Sequence, residues 1–502
     1  MLHPDEGDII EPAVRVASLE NLDPGVYNRP NHISIYLNAL NFKFFSIARS
    51  LFFKIRGDVD EIFMTDPEPY VYISRLLTVC LGTLMILSMF LLGREVGGDR
   101  VGLLASSFTA FFPSFVHHSH YATPDIPLAF FISMTALFTC KFMKSKKIKF
   151  LFLACLFCGI ATAEKYPGIL SASLIFFGIV FSLWPKKVDI FKFGVIAFAA
   201  YILSLFIASP FLFINYKRVL HSLALESSPY HLGAAGLGWY GNLVYYLNTL
   251  SNNMGMLLWL FFLIGILLLF IKFREFRRVK HYLAVSLFGL VYWVLLSRVA
   301  LHWERWAVPM YIIPIIVASV GFSTLSILLK KNKLRGDSIL IILFVILISS
   351  LFFRGLFQSI NFNTQDTRVV SRQWIDEILP VDAIVAADAY TPIKPGCCGS
   401  VAEKSLEEFK RDGVEFIIVS SAIYRRFYDE RYRYYEEVKF YNQLFQEEKL
   451  VRSFRARSIE LGHNDLEAIF RGIKELIRYL QRKEAYLSGP EIKIYKILGS
   501  SQ

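Results

Sequence analysis

The chain has 502 residues, of which 54% are hydrophobic, 16% aromatic and only 19% charged, with a mean hydropathy of +0.44. Such a composition is too apolar for a water-soluble globule and describes a polytopic α-helical membrane protein. The formal charge of +12 does not point to nucleic acid, because Lys and Arg fall in short clusters between apolar runs; the partner they imply is an anionic membrane surface.

Residues 1–70 are mixed and read as a large extramembrane loop. Asp5, Glu6, Asp8 and Glu11 make its opening acidic, and Pro4, Pro12, Pro24 and Pro30 punctuate it. Within it, 33–53 is apolar with Lys43 and Arg49 set apart, the pattern of a helix lying in the interface. About ten apolar runs follow, near 71–93, 101–117, 125–140, 148–163, 167–184, 191–213, 254–271, 281–299, 306–329 and 338–356. A span needs roughly 20 residues, so the shortest runs only just suffice. They form the transmembrane helical domain, 71–359.

The connecting loops alternate in charge. Arg94 and Arg100, the Lys141–Lys149 cluster, Lys186, Lys187 and Lys192, the cluster from Lys272 to Lys280, and Lys330–Arg335 mark the cytoplasmic side. The intervening loops, 117–124, 164–167, 214–253 and 299–305, are rich in His, Tyr, Trp, Gly and Asn. They face the other side, and parity places the opening segment and the tail there too, on a plasma-membrane protein.

From about residue 360 the composition changes. A helix over 366–379, an apolar stretch from Ala383, a helix over 405–411, a strand from Val414, a polar helix near 464–484 and a closing strand from Glu491 argue a small extracytoplasmic α/β domain, 360–502. It lacks a phosphate loop, a nucleophile elbow and zinc spacing, and reads as accessory. Cys80, Cys140, Cys155 and Cys158 lie in apolar runs and read as packing, and the vicinal pair Cys397-Cys398 receives no role.

Chemistry-bearing residues gather on the non-basic side: Asp5-Glu6, Arg29, Arg75, His117-His118-Ser119-His120, Asp125 behind Thr123-Pro124, Glu164-Lys165, Glu226, His231 and Arg305. Each has a bland alternative. Asp125 suits a helix N-terminus for the dipole alone, Arg75 and Arg305 suit interface anchoring, and the three histidines do not share one helix face as a metal site would. Together they supply what one reaction needs. Moving a sugar from a lipid-phosphate carrier to a hydroxyl requires a carboxylate base for the acceptor proton and cations for the departing phosphate. A transporter is the competing reading, but no internal repeat is visible and the ionisable residues sit at span ends. A non-catalytic envelope assembly protein is the third.

In order along the chain, His3-Pro4-Asp5-Glu6, Arg75-Leu-Leu-Thr, Ser119-His-Tyr-Ala-Thr-Pro-Asp-Ile-Pro, Glu164-Lys-Tyr-Pro-Gly and Glu304-Arg-Trp-Ala-Val-Pro resemble the large polytopic glycosyltransferases of the GT-C fold. The resemblance is to family 39, the protein O-mannosyltransferases, with lipid A aminoarabinose transferase as a relative. It implies inverting transfer of a monosaccharide from a polyprenyl phosphate, with Asp5 as base and Glu6 assisting. Arg29 or Arg305 would meet the carrier phosphate, and Asp125 would shape the donor site, with Arg75, His120, Lys165, Glu226 and His231 as further substrate-binding candidates. No metal or other cofactor is implied; the partners are the lipid-linked sugar, membrane lipid and an acceptor that is a protein, a glycolipid or a wall glycan. Family members carry a transmembrane helix ahead of the acidic motif, whereas Met1-Leu2 here runs directly into His3-Pro4; either such a helix lies upstream of this sequence, or Asp5 is without the helix that fixes its position in relatives.

Overall fold

The computed structural model describes residues 4–498 apart from 20, 54–56, 227–230, 235, 272–275, 332–335, 394–398, 458, 460 and 482–485. His3 of the opening motif and Cys397-Cys398 lie outside the described residues.

A single 3-10 turn, Pro4–Glu6, leads into α1 (Gly7–Ala17), which packs on α2 (His32–Phe53) through Ile9, Ile10, Ala13 and Val14. On its other side α2 leaves Leu40, Phe44, Ile47 and Leu51 exposed, the one-sided distribution expected for a helix at an interface. After α3 (Val59–Thr65) comes α4 (Glu68–Gly97), a 30-residue helix started at Pro67 and ended at Gly98, whose φ of 86° reverses the chain into α5 (Asp99–Phe111). Pro113 separates α5 from α6 (Pro113–Ser119), and Pro124 sets the start of α7 (Asp125–Ser145). The bundle continues with α8 (Ile148–Glu164), a 3-10 segment over Tyr166–Ser171, α9 (Ala172–Leu183), α10 (Lys187–Ala208), the short α11 (Phe211–Ile214) and α12 (Tyr216–Glu226). Then follow α13 (Gly238–Ile271), α14 (Phe276–Ser297), a 3-10 segment over Glu304–Tyr311, α15 (Ile312–Lys331) and α16 (Gly336–Phe362).

Among the described residues, eight helices are long and apolar enough to cross a membrane, where the sequence suggests about ten spans. The run at 101–117 is broken at Phe112-Pro113 into helices of 13 and 7 residues, because proline removes a helical N–H and clashes with the preceding turn. The run at 148–163 makes a 17-residue helix, roughly 25 Å long and at the lower limit for a span. The long loop expected at 214–253 is also shorter than anticipated, since α12 occupies part of it and α13 begins at Gly238. Gly255, at φ 72°, breaks α13 where its apolar half begins. Farther along that helix, small residues permit close crossing: a Cβ on Gly265 would lie 2.3 Å from the Val317 carbonyl, and one on Gly321 2.1 Å from that of Phe261.

Among the described residues, the tail forms two sheets. Short β1 (Gln365–Asp366) precedes α17 (Thr367–Ile378) and β2 (Val385–Ala387); α18 (Leu406–Arg411) precedes β3 (Phe416–Ser420), α19 (Ser421–Asp429), α20 (Tyr435–Glu447) and β4 (Lys449–Phe454). The chain closes with α21 (Asp465–Gln481), β5 (Leu487–Ser488) and β6 (Ile492–Lys496). The main sheet has order β2-β3-β6-β4, with β2 parallel to β3 and β6 antiparallel to both β3 and β4. Alternation along β3 explains its two covers: Phe416 and Ile418 pack toward Ile375 of α17, while Ile417 and Val419 pack toward Phe409, Tyr424 and Tyr441. Outside these cores, β1 pairs in parallel with β5, Gln365 opposite Leu487.

Three of the basic loops meet at one end of the bundle, where Lys144 pairs with Glu95 and Lys280 Nζ donates to the Met143 carbonyl. The acidic opening and the tail meet at the other end. There the loop at 231–234 reaches the tail, with Gly233 N–H donating to Glu430 at 2.8 Å.

Candidate active site

The turn at Pro4–Glu6 directs two adjacent carboxylates into different surroundings. Glu6 is fully buried. Arg75 Nε and Nη2 donate to its two oxygens, each at 2.8 Å, and the Ala122 N–H adds a third bond at 2.9 Å. Glu6 therefore ties the turn to α4 and to the loop before α7, holding Asp5 in place.

The Asp5 carboxylate is partly exposed, with Arg29 Nη1 3.8 Å from one oxygen and Arg305 Nη1 ion-paired with the other. These three residues share the wall of a cavity of about 560 Å³ with His118, His231, Trp303 and Glu304. Arg305 lies over the Trp303 ring, 5.7 Å from its centroid. Its Nε–H is buried and meets no acceptor among the described residues, so the guanidinium retains donor capacity for an anion.

The approach of Arg29 depends on the stretch before α2. Tyr27 OH donates to Asp23 at 2.6 Å, and Asn215 Nδ2 bonds Asp23 at 2.8 Å; burial and the Asp23 carboxylate push the Tyr27 phenol up to about 12. His32 is buried between the Ser209 hydroxyl and the Val26 carbonyl, and burial pushes its imidazole down to about 4. At the start of α2, Ser34 donates its N–H and hydroxyl to the buried Glu164 carboxylate at 2.8 and 2.5 Å.

A larger cavity of about 1190 Å³ adjoins the first, the two sharing His117 and Gln358. Arg75, Tyr121, Arg368, Arg425 and Arg455 line it, so α4 forms one wall and the tail another. His120 also lines it, its ring donating to the Val116 carbonyl at 2.7 Å and stacking on Phe362 with centroids 4.5 Å apart. Burial and the nearby Glu6 raise the Tyr121 phenol. Arg368 grips Asp366 with two bonds of 2.9 and 2.8 Å, which raises its own pKa.

Of the residues singled out in the sequence, Asp5, Arg29, His231 and Arg305 meet around the smaller cavity, and Arg75 and His120 line the larger. Asp125 and Lys165 line neither: they form a buried ion pair at 2.7 Å, with Asp125 in the first turn of α7 as its position behind Pro124 suggests. Glu226 ends α12, and its side chain lies outside the described residues. Reading the sequence missed Tyr390 and Arg426, which bring the tail into the smaller cavity. Arg426 lies 5.4 Å from the Tyr390 ring centroid, and Tyr390 has a φ of 61°, a left-handed conformation that a non-glycine residue rarely adopts. The available signal was its place just past β2, since ligands of parallel sheets gather at the carboxyl ends of strands.

Residues 52–225 match the family model of the dolichyl-phosphate-mannose-protein mannosyltransferases. The chain is similar to that family. The mannosyltransferase-like stretch contains Arg75, His120, Asp125 and Lys165, while Asp5, Arg29 and Arg305 lie outside it. Among solved structures, similarity extends to ArnT from Cupriavidus metallidurans bound to undecaprenyl phosphate, at 13% identity over 86% of this chain and 91% of that one, with a TM-score of 0.49. It extends also to the archaeal oligosaccharyltransferase AglB from Archaeoglobus fulgidus in complex with an inhibitory peptide and a dolichol-phosphate, at 12% identity over 98% and 84%, with a TM-score of 0.49. No curated protein matches the sequence.

Proposed function

We propose that this protein is a membrane glycosyltransferase that moves a monosaccharide from a polyprenyl phosphate to an acceptor hydroxyl, with inversion and with Asp5 as general base. The observation that carries the reading is the Asp5 carboxylate held between Arg29 and Arg305 at the wall of a polar cavity. The mannosyltransferase-like stretch supports the class of reaction. The site end opposes the basic loops, so the reaction takes place on the outer face of the plasma membrane, with the tail on the same side.

Chemically, the acceptor oxygen attacks the anomeric carbon as the carbon–oxygen bond to phosphate breaks. The acceptor proton passes to Asp5, and the carrier phosphate leaves with the bonding electrons and one additional negative charge. Arg29 and Arg305 suit both stages. Without substrate the two guanidinium groups flank the Asp5 carboxylate and oppose its charge. An arriving phosphate competes for the same guanidinium groups, releasing Asp5 to act as base, and leaving-group charge is then stabilised by donors already in position. Glu6 positions the turn and does not touch the reacting atoms. Acceptor passes through the larger cavity, which the tail's arginines line, and the tail thereby contributes to acceptor selection.

The test is transfer of radiolabel from synthetic polyprenyl-phosphate sugars to membrane extract by full-length protein reconstituted in vesicles, wild type beside Asp5→Asn. Loss of about 10²-fold or more in the variant is expected for a removed general base. Equal transfer by both would remove Asp5 from the mechanism. Absence of transfer by folded wild type across several sugars, with uptake of a solute into the same vesicles, would establish a transporter instead.

A further inference from the structure

Helix α21 presents three faces. Ala468, Gly472 and Tyr479 are buried, against α16 and so closely that a Cβ on Gly472 would lie 2.6 Å from the Phe353 ring. A second face carries Leu466, Phe470, Ile473, Ile477 and Leu480, spaced i, i+4, i+7, i+11, i+14 and all exposed, Phe470 at 71% and Leu480 at 73%. The third is polar, with Arg471, Lys474 and Arg478 exposed. A helix of a soluble domain that has already buried one face has no reason to maintain a second apolar stripe five residues long.

Its anchorage explains where that stripe lies. The break at Gly255 leaves the next N–H groups of α13 without partners in their own helix, and the segment before α21 supplies them: Met256 N–H bonds the His463 carbonyl at 3.1 Å and Leu257 N–H bonds Asp465 at 2.7 Å. Asp465 also accepts from Ser350 Oγ at 2.6 Å, and Arg354 donates to the Gly462 and His463 carbonyls, both at 2.9 Å. Helix α21 therefore starts beside two membrane-spanning helices, level with Ser350 and about twelve residues, roughly 18 Å of helix rise, before α16 ends. Around that level α13 exposes Met256 and Leu260 and α16 exposes Phe352, so the stripe continues a lipid-facing surface.

We propose that α21 is an interfacial membrane helix, with Leu466, Phe470, Ile473, Ile477 and Leu480 inserted in the leaflet at the site end and Arg471, Lys474 and Arg478 on anionic lipid headgroups. An apolar stripe bordered by basic residues is the pattern that binds such a surface. The buried face on α16 fixes the helix, and the leaflet occupies the second face. This attachment holds the tail, with Tyr390 and Arg426, against the bilayer surface from which a lipid-borne substrate enters, but the lipid contact itself does not depend on the transferase reading.

The experiment uses full-length protein in vesicles of equimolar phosphatidylcholine and phosphatidylglycerol, with acyl chains either plain or brominated. Phe470→Trp and Leu480→Trp are compared with Glu467→Trp on the polar face, wild-type emission being subtracted. The tryptophans at 470 and 480 are expected to lose most of their added emission in brominated lipid, and the one at 467 to retain it. Omitting phosphatidylglycerol is expected to weaken quenching at 470, and Arg471→Gln/Lys474→Gln/Arg478→Gln in that background to abolish the dependence. Unquenched emission at both 470 and 480 would overturn the proposal; if that emission is also blue-shifted, the stripe is covered by protein and not by lipid.

Discussion

Asp5 and Arg305, 300 residues apart in the chain, meet in an ion pair at the wall of the smaller cavity. The Arg305 Nε–H has no acceptor among the described residues, so a phosphate that displaces Asp5 from the guanidinium gains a donor that Asp5 leaves unused. Arg305→Met is expected to lower transfer by about 10²-fold, the range for removing one donor from a developing oxyanion. Arg305→Lys, which keeps the charge and loses the planar fork, is expected to fall between Met and wild type. Single-turnover rates with a polyprenyl-phosphate sugar decide this, and unchanged rates in both variants would free Arg305 of any role in leaving-group stabilisation.

Glu6 and Arg75 make a prediction about stability. Glu6→Gln preserves an acceptor for the Ala122 N–H but leaves Arg75 half-buried without its counter-charge. A loss of about 2–3 kcal/mol is expected, less than for a fully enclosed pair because Arg75 keeps 26% of its side-chain surface. Glu6→Leu combined with Arg75→Met should recover part of the loss, since no charge then remains buried. Thermal unfolding in detergent provides the comparison; a double variant less stable than Glu6→Gln would show that packing, and not charge, holds the turn.

Much of the bundle was legible because uninterrupted apolar runs mark helix positions directly, as in α4, α7 and α16, although each helix extends beyond its run into polar residues. The break in α13 was not: Gly255 lies within Met254-Gly-Met256, where neighbouring apolarity hides it, and His463, whose carbonyl accepts from the Met256 N–H, is more than two hundred residues away. In the tail, β3 was visible as Phe416-Ile-Ile-Val, whereas the edge strand β4 mixes Lys449 and Arg452 with Leu450 and Val451 without a period and is largely exposed, so no burial signal marks it. The acidic turn, Arg29 and Arg305 were visible as separate candidates. Their meeting, and the arrival of Tyr390 beside them, depends on tertiary contacts that spacing does not encode.

His32 gives the expected pH response. Burial lowers its folded pKa to about 4 from an ordinary value of about 6.5, so the unfolded chain takes up the proton first as pH falls. Its contribution to stability is complete above about pH 6.5 and is lost progressively toward about pH 4. Asp23 nearby acts in the opposite direction without reversing the shift. Protection of the amides around Val26–Asn38, taken as observed exchange relative to the intrinsic rate at each pH, should therefore fall through that window, and His32→Gln should flatten the response. Protection that is constant through the window in wild type would contradict the buried, neutral imidazole.

Gly255 connects membrane helix and tail, and its substitution separates two contributions. A Cβ there would lie 2.6 Å from Arg354 Nη1 and 2.9 Å from Asp465 Oδ1, in a backbone conformation at φ 72° that disfavours side chains. Gly255→Ala is expected to cost about 1–3 kcal/mol from backbone strain alone, since φ 72° with ψ 171° is a conformation adopted essentially by glycine, and more from displacing Arg354 and Asp465. Asp465→Asn, by contrast, leaves the backbone unstrained and keeps an acceptor for Leu257 N–H, while removing the charge opposite Arg354. If anchorage of α21 depends on the filled helix break, protease cleavage within 455–465 should accelerate strongly in Gly255→Ala and only modestly in Asp465→Asn. Equal acceleration would locate the anchorage in the Arg354–Asp465 pair, and no acceleration in either would mean that packing of Gly472 and Tyr479 on α16 suffices to hold the tail in place.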